Sequence, residues 1–260
     1  MTFRPRLVAL DVDGTLVDDA NEMTAAVRDA VRAIRDAGIE TVISTGRAIP
    51  GVMDTAAKLG FDDGYAIASN GSVVFEYDPV KVLHSVTFDA SAAVRRVLEH
   101  VPEALVAVEE LGVGYRVSRP FPEGEISGSV VIDDIEELIS EPVTRVVIRA
   151  PDRTPEEFSR LVEDLGLADT NYYIGYTAWL DLAPEGVSKA SGLTYLCERL
   201  SISPDEVLAV GDGNNDMEML QWAGRGVAMG QGPPALLRAA NHVTGTVEQD
   251  GLVTELRRYL

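Results

Sequence analysis

Three apolar runs in this chain end in a polar cluster, and that repetition constrains the fold more than any other feature. The clusters are Asp11-Val12-Asp13-Gly14-Thr15, Ser44-Thr45-Gly46-Arg47 and Gly211-Asp212-Gly213-Asn214-Asn215-Asp216. A short run that is apolar throughout reads as a strand buried on both faces, as in a parallel sheet. Ligands of open parallel sheets bind outside the carboxyl ends of the strands. The three clusters are therefore expected at one edge of one sheet.

The segments between them supply the covering helices. Val27, Ala30, Val31 and Ile34 recur at helical spacing within residues 23–37, and Gly38 follows as a C-terminal cap. Residues 40–44 read as a second strand, and residues 48–59 as a helix stopped by Gly60. After Asn70-Gly71 the rhythm changes. Residues 72–77 read as a hairpin arm or edge strand, and the runs 105–110 and 115–118 flank the turn Leu111-Gly112-Val113-Gly114. Residues 143–150 alternate as a strand, Thr154-Pro155-Glu156-Glu157 is a capping box, and 172–174 and 179–183 read as two more strands. The earlier rhythm returns at Ser188, with helices at 188–200, 215–222, 234–240 and 252–260 and strands at 207–210 and 227–229. A second capping box lies at Ser203-Pro204-Asp205-Glu206. The expected class is α/β: a Rossmann-like parallel-sheet core formed by 1–83 and 188–260, interrupted by a smaller α+β domain at 84–187.

Composition narrows the function. Of 260 residues, 42 are acidic and 22 basic, for a formal net charge of −20. A nucleic-acid or anionic-membrane partner needs a basic face, so neither is expected, and no protein partner is implied. One cysteine, Cys197, excludes an internal disulfide and a cysteine-rich zinc site, and its helical neighbours Leu196 and Leu200 mark it as core. No apolar stretch approaches the ~20 residues of a membrane span. The opening residues do not resemble a signal peptide, so a cytoplasmic location is expected. His84, His100 and His242 lack metal-site spacing, and no Walker A, G-x-S-x-G or H-E-x-x-H pattern occurs.

Asp11 and Asp13, two apart at a strand end, make with Asp212 a hard oxygen site suited to Mg²⁺ beside a phosphate. The plainer reading, that Asp-Gly and Gly-Asp-Gly are turn sequences, holds for any one cluster alone. Their recurrence at successive strand ends weighs against it.

Asp11-Val12-Asp13-Gly14-Thr15-Leu16-Val17 resembles the first motif of the haloacid dehalogenase superfamily. Ile43-Ser44-Thr45-Gly46-Arg47 is similar to the second motif of its Cof-type sugar-phosphatase branch, Gly186-Val187-Ser188-Lys189 to the third, and Gly211-Asp212-Gly213-Asn214-Asn215-Asp216-Met217 to the fourth. Gly226-Val227-Ala228-Met229-Gly230, Asp250-Gly251-Leu252 and Ala68-Ser69-Asn70-Gly71 also match that branch. The resemblance implies a Mg²⁺-dependent phosphatase acting on a small phosphorylated metabolite, with the insert as a large α/β cap. Asp11 would be the nucleophile and Asp13 the general acid and base. Mg²⁺ would be held by Asp11, the carbonyl of Asp13, and Asp212, with Asp216 supporting the metal or orienting Lys189. Thr45, Gly46, Lys189 and Asn215 would bind phosphoryl oxygens, and Arg47 and Asn70 would reach the substrate. For Asn70 a turn role fits equally. Tyr172, Tyr173, Tyr176 and Trp179 are expected to pack the cap sheet rather than stack on a sugar. A phosphoglycolate-type phosphatase, a phosphomutase of the same superfamily and an inactive metabolite sensor are the alternatives.

Overall fold

A computed structural model describes residues 3–167, 170–174 and 178–260. The chain begins with β1 (Leu7–Leu10), α1 (Ala25–Asp36), β2 (Glu40–Ser44), α2 (Ile49–Leu59), β3 (Gly64–Ala68), β4 (Val73–Tyr77) and β5 (Lys81–Ser85). It continues through α3 (Ser91–His100), β6 (Leu105–Glu110), β7 (Gly114–Val117), β8 (Ser129–Ile132), α4 (Ile135–Leu138), β9 (Val146–Arg149), α5 (Pro155–Leu165), β10 (Thr170–Ile174) and β11 (Trp179–Pro184). It closes with α6 (Lys189–Leu200), β12 (Val207–Gly211), α7 (Met217–Trp222), β13 (Arg225–Ala228), α8 (Pro234–Ala239), β14 (His242–Val243) and α9 (Gly251–Leu256). Two compact units result. One comprises Met1–Gly46, Val52–His84 and Ser188–Leu260; the other comprises Arg47–Gly51 and Ser85–Val187.

The first unit is built on an eight-stranded sheet ordered β14-β13-β12-β1-β2-β3-β4-β5. From β14 to β3 the pairs are parallel, and β4 turns back antiparallel to β3. The chain leaves β1 toward β2 and later returns to its other side as β12, which makes the β1–β12 boundary the topological switch point. Leu7, Ala9, Val42, Val207 and Ala209 face a cluster with Leu193, Leu196 and Cys197 of α6 and Met219 and Leu220 of α7. Val8, Leu10, Ile43, Leu208 and Val210 alternate to the opposite face and are as deeply buried. Helix α1 buries Val27, Ala30, Val31 and Ile34, starts on a Thr24 side-chain cap and ends before Gly38, whose φ is +79°.

Two contacts tie the ends of the first unit's broken chain together. The Tyr195 hydroxyl, on α6, donates to the Leu83 carbonyl at 3.0 Å. The His84 ring stacks on Tyr195 with centroids 4.5 Å apart. Further along, Gly71 (φ +104°) lies so close to α6 that a Cβ there would stand 2.0 Å from the Ser188 carbonyl. Only glycine fits that crossing.

The second unit carries a six-stranded sheet ordered β10-β11-β9-β6-β7-β8. Its pairs are antiparallel except β7–β8, which is parallel. Helices α3 and α5 cover one face, where Val94, Val97, Phe158 and Val162 meet Val106, Val108, Ile148 and Leu180. The Thr154 capping box starts α5. On the other face, buried Arg145 forms a two-point ion pair with Asp181 (2.5 and 3.0 Å) and donates to the Tyr115 hydroxyl at 2.6 Å. Trp179 donates to the same Asp181 and meets Phe121 edge-on, while Tyr172 packs against the helix-covered face. These two aromatics therefore pack the sheet; Tyr173 is half-buried on β10, and Tyr176 lies outside the described residues.

Candidate active site

The site is assembled at the switch point from loops that leave parallel strands. Asp11 follows β1, and its N–H donates to the Val210 carbonyl of β12 at 3.0 Å, so the ladder runs up to the acid itself. The next residues close a tight turn, with the N–H groups of Leu16 and Val17 donating to the Val12 carbonyl. Asp212 follows β12. Asp216 lies one short turn later, and its Oδ2 accepts from the N–H groups of Asp212 (2.9 Å) and Gly213 (2.8 Å). These bonds fix the loop around the Asp216 carboxylate.

Lys189 is the first residue of α6, after a capping box formed by Ser188 and Ser191. Its ammonium donates to Asp11 Oδ1 and Asp216 Oδ1, both at 2.6 Å, and the side chain is fully buried. Burial opposes its charge, but the two carboxylates outweigh that effect and hold its pKa above the ordinary lysine value. Asp11 is pushed well above the usual carboxylate range by burial first and by the nearby charge of Asp216, which together exceed the stabilisation from Lys189. Asp212 is raised to about 7 by burial and the charge of Asp216. One lysine thus faces three crowded acids.

Carboxylate oxygens of Asp11, Asp212 and Asp216 all lie within 4.8 Å of one another. All-oxygen donors of this charge suit a hard divalent cation such as Mg²⁺. The cluster that forms contains Asp216 rather than the Asp13 side chain, which is exposed. Asp13 is thus an exposed residue in the turn after Asp11.

The other residues singled out in the sequence lie on the loops after β2, β3 and β12. Thr45 and Gly46 follow β2; Thr45 is fully buried, its N–H donates to the Ile67 carbonyl at 2.9 Å, and its own carbonyl accepts from the Asn70 N–H at 3.0 Å. Asn70 stands at φ +53° in a turn and accepts through Oδ1 from the Asn215 amide at 2.9 Å. The turn role expected for Asn70 is thus present, and its side chain ties this turn to the loop after β12. Gly46 runs so close to Asn70 that a Cβ would lie 3.1 Å from Oδ1. Arg47 belongs to the second unit.

Sequence reasoning passed over Gln231. Its amide donates to the Gly14 carbonyl at 2.6 Å and to Asp212 Oδ2 at 3.3 Å. A lone glutamine in a loop carries no pattern that would have drawn attention to it.

Comparison with known proteins agrees with this architecture. The family profile of the haloacid dehalogenase-like hydrolases matches residues 8–256. The 5-amino-6-(5-phospho-D-ribitylamino)uracil phosphatase YitU of Bacillus subtilis is 27% identical over 275 residues, covering 100% of this chain and 99% of its own. A phosphoglycolate phosphatase of Methanopyrus kandleri is 30% identical over 254 residues, covering 98% and 97%. Among solved structures, a phosphatase of the haloalkanoate (HAD) enzyme superfamily from Bacteroides thetaiotaomicron superposes with a TM-score of 0.79 at 29% identity, covering 98% of this chain and 95% of that one. With the profile spanning nearly the whole chain, the protein belongs to the haloacid dehalogenase-like hydrolase family and is an enzyme of its phosphatase branch.

Proposed function

We propose that the chain hydrolyses a small phosphate monoester, a sugar phosphate or related metabolite, through a phosphoaspartate on Asp11. The observation that carries this reading is the buried cluster of Asp11, Asp212 and Asp216 bridged by the Lys189 ammonium at the sheet's switch point. Mg²⁺ would be held by Asp11, the Asp13 carbonyl and Asp212. Bound there, it would offset the repulsion between a carboxylate nucleophile and an anionic ester.

The protein's own groups account for the other requirements. Lys189 fixes the Asp11 carboxylate and places a positive charge where the phosphoryl group arrives. The Asp11 oxygen forms the bond to phosphorus as the ester oxygen departs, and the Asp13 carboxyl gives that oxygen its proton. Water then attacks the phosphoaspartate, Asp13 takes the proton back, and inorganic phosphate leaves with Asp11 regenerated. Solvent exposure of Asp13 suits a group that must meet both leaving alcohol and water. Thr45, Gly46 and Asn215 would donate to phosphoryl oxygens, and Asn70 would hold Asn215 in place. Arg47 would reach the substrate. The inserted unit, 84–187, would act as the cap that selects the alcohol. The relatives' names differ in substrate, so the shared chemistry is the phosphomonoester itself.

Hydrolysis of an aryl phosphate with Mg²⁺ tests the reading. The wild type is expected to turn over and lose activity to a chelator, with Asp11→Asn reduced by more than about 10³-fold. Negligible turnover of both proteins across a panel of phosphorylated metabolites would favour the sensor instead.

A further inference from the structure

Residues 229–232 lie across the carboxyl end of β12. The Met229 N–H donates to the Gly211 carbonyl at 2.9 Å, and the Gly230 N–H to the Gly245 carbonyl at 3.0 Å. From this crossing the Gln231 carboxamide spans three segments. Its Nε2 reaches the Gly14 carbonyl (2.6 Å) and Asp212 Oδ2 (3.3 Å), while its Oε1 accepts from the Val247 N–H at 3.1 Å. The Val247 bond fixes which end of the amide faces the acids, because the reverse orientation would set an oxygen against two acceptors.

The two groups that Nε2 grips are not arbitrary. Asp212 is one member of the carboxylate cluster, and the Gly14 carbonyl lies one peptide beyond that of Asp13. The two segments already touch, since Gly14 adopts φ +77° and a Cβ there would stand 2.1 Å from Asp212 Oδ2. Contact alone does not set the direction of a carboxylate; a donor does.

We infer that Gln231 is a positioning residue of the metal site, holding the Asp212 carboxylate and the Asp13–Gly14 turn at the separation that a divalent cation needs. This rests on the Mg²⁺ reading of the site given above. Gln231 touches neither the ester nor the reacting atoms, so its removal weakens metal binding rather than the chemical step.

The test is metal affinity measured directly. Metal-stripped full-length wild type, Gln231→Met and the nearby control Gln249→Met are titrated calorimetrically with Mg²⁺ and Mn²⁺. Aryl phosphate hydrolysis is then followed against Mg²⁺ concentration. Methionine keeps the length of glutamine and removes its donors. The expected result for Gln231→Met is a metal Kd about 10-fold higher or more, with the KM for Mg²⁺ rising in parallel. Its kcat at saturating metal stays within about two-fold of wild type, as expected when only pre-catalytic binding is lost. Gln249→Met binds metal as the wild type does. If Gln231→Met melts early in chelator, Gln231→Asn, too short to bridge both acceptors, serves in its place with the same expectation. Unchanged metal affinity in a folded variant, or a lower kcat with affinity unchanged, overturns the inference alone. A wild-type chain that binds neither ion overturns the Mg²⁺ reading as well.

Discussion

Lys189 shows how one side chain can serve structure and chemistry together. Two carboxylates meet its ammonium in a setting without solvent access, so replacing it leaves uncompensated buried charge. Lys189→Met is expected to lower the stability of the metal-free protein by about 3–5 kcal/mol, measured by urea unfolding. On the proposed reading phosphatase turnover should fall by about 10²-fold or more, since Lys189 would be the donor to the developing charge. Gly71→Ala is expected to cost more than about 2 kcal/mol by the same measurement, because the added Cβ meets the Ser188 carbonyl at a positive-φ position. At this scale much of the site is legible in the sequence. Asp11, Asp212 and Lys189 stand at strand and helix ends, where chain direction alone decides which edge they reach, and the structure brings them together with Asp216. Gln231 is not legible, because its role depends on which carbonyl and carboxylate a loop happens to cross.

Elements divide the same way. Helices α1, α5 and α6 are legible from apolar spacing and from their caps, which act within a few residues. The missed elements are short, or lean on neighbours. Strand β8 has four residues, all exposed, and no alternation to betray it; its strand state comes from pairing with β7. Strand β14 is two residues against β13, and α4 is a single turn. The Ser203 capping box opens only a 3₁₀ turn over Pro204–Glu206 before β12, since tertiary packing, not the cap, decides how far a helix runs. In the second unit, the Arg145–Asp181 pair joins β11 to the start of β9. Arg145→Met strands Asp181 and the Tyr115 hydroxyl, and is expected to cost about 3–5 kcal/mol by calorimetry. Adding Asp181→Leu should recover most of that loss, because no charge is then left behind. On α6, Cys197 is buried and its thiol is pushed up to about 11. The folded thiol should therefore resist a disulfide reagent at about pH 8, and react promptly once unfolded, as a free thiol near pKa ~8.5 does. Because the folded thiol holds its proton longer, stability from this group is lost as pH rises from about 8.5 toward 11.

For the whole molecule, the charge of −20 sets a condition on catalysis. On the proposed reading, an anionic ester would approach through a repulsive field and would meet the Lys189 charge only at the end. Raising NaCl from about 20 to about 200 mM should increase kcat/KM by roughly two- to five-fold at fixed, saturating Mg²⁺, because screening shortens the range of that repulsion. A neutral-salt dependence of the opposite sign would show that local positive groups dominate the approach. No described helix is long and apolar enough to cross a membrane.

The Tyr195 clasp on Leu83 and His84 has a consequence for how such a chain can change. Both junctions of the roughly hundred-residue insertion are anchored to α6 within about two helical turns, or ~10 Å, of each other. A handful of glycines and serines could bridge that gap at small entropic expense. The insertion can thereby be swapped or shortened without unpicking a single rung of the parallel ladder.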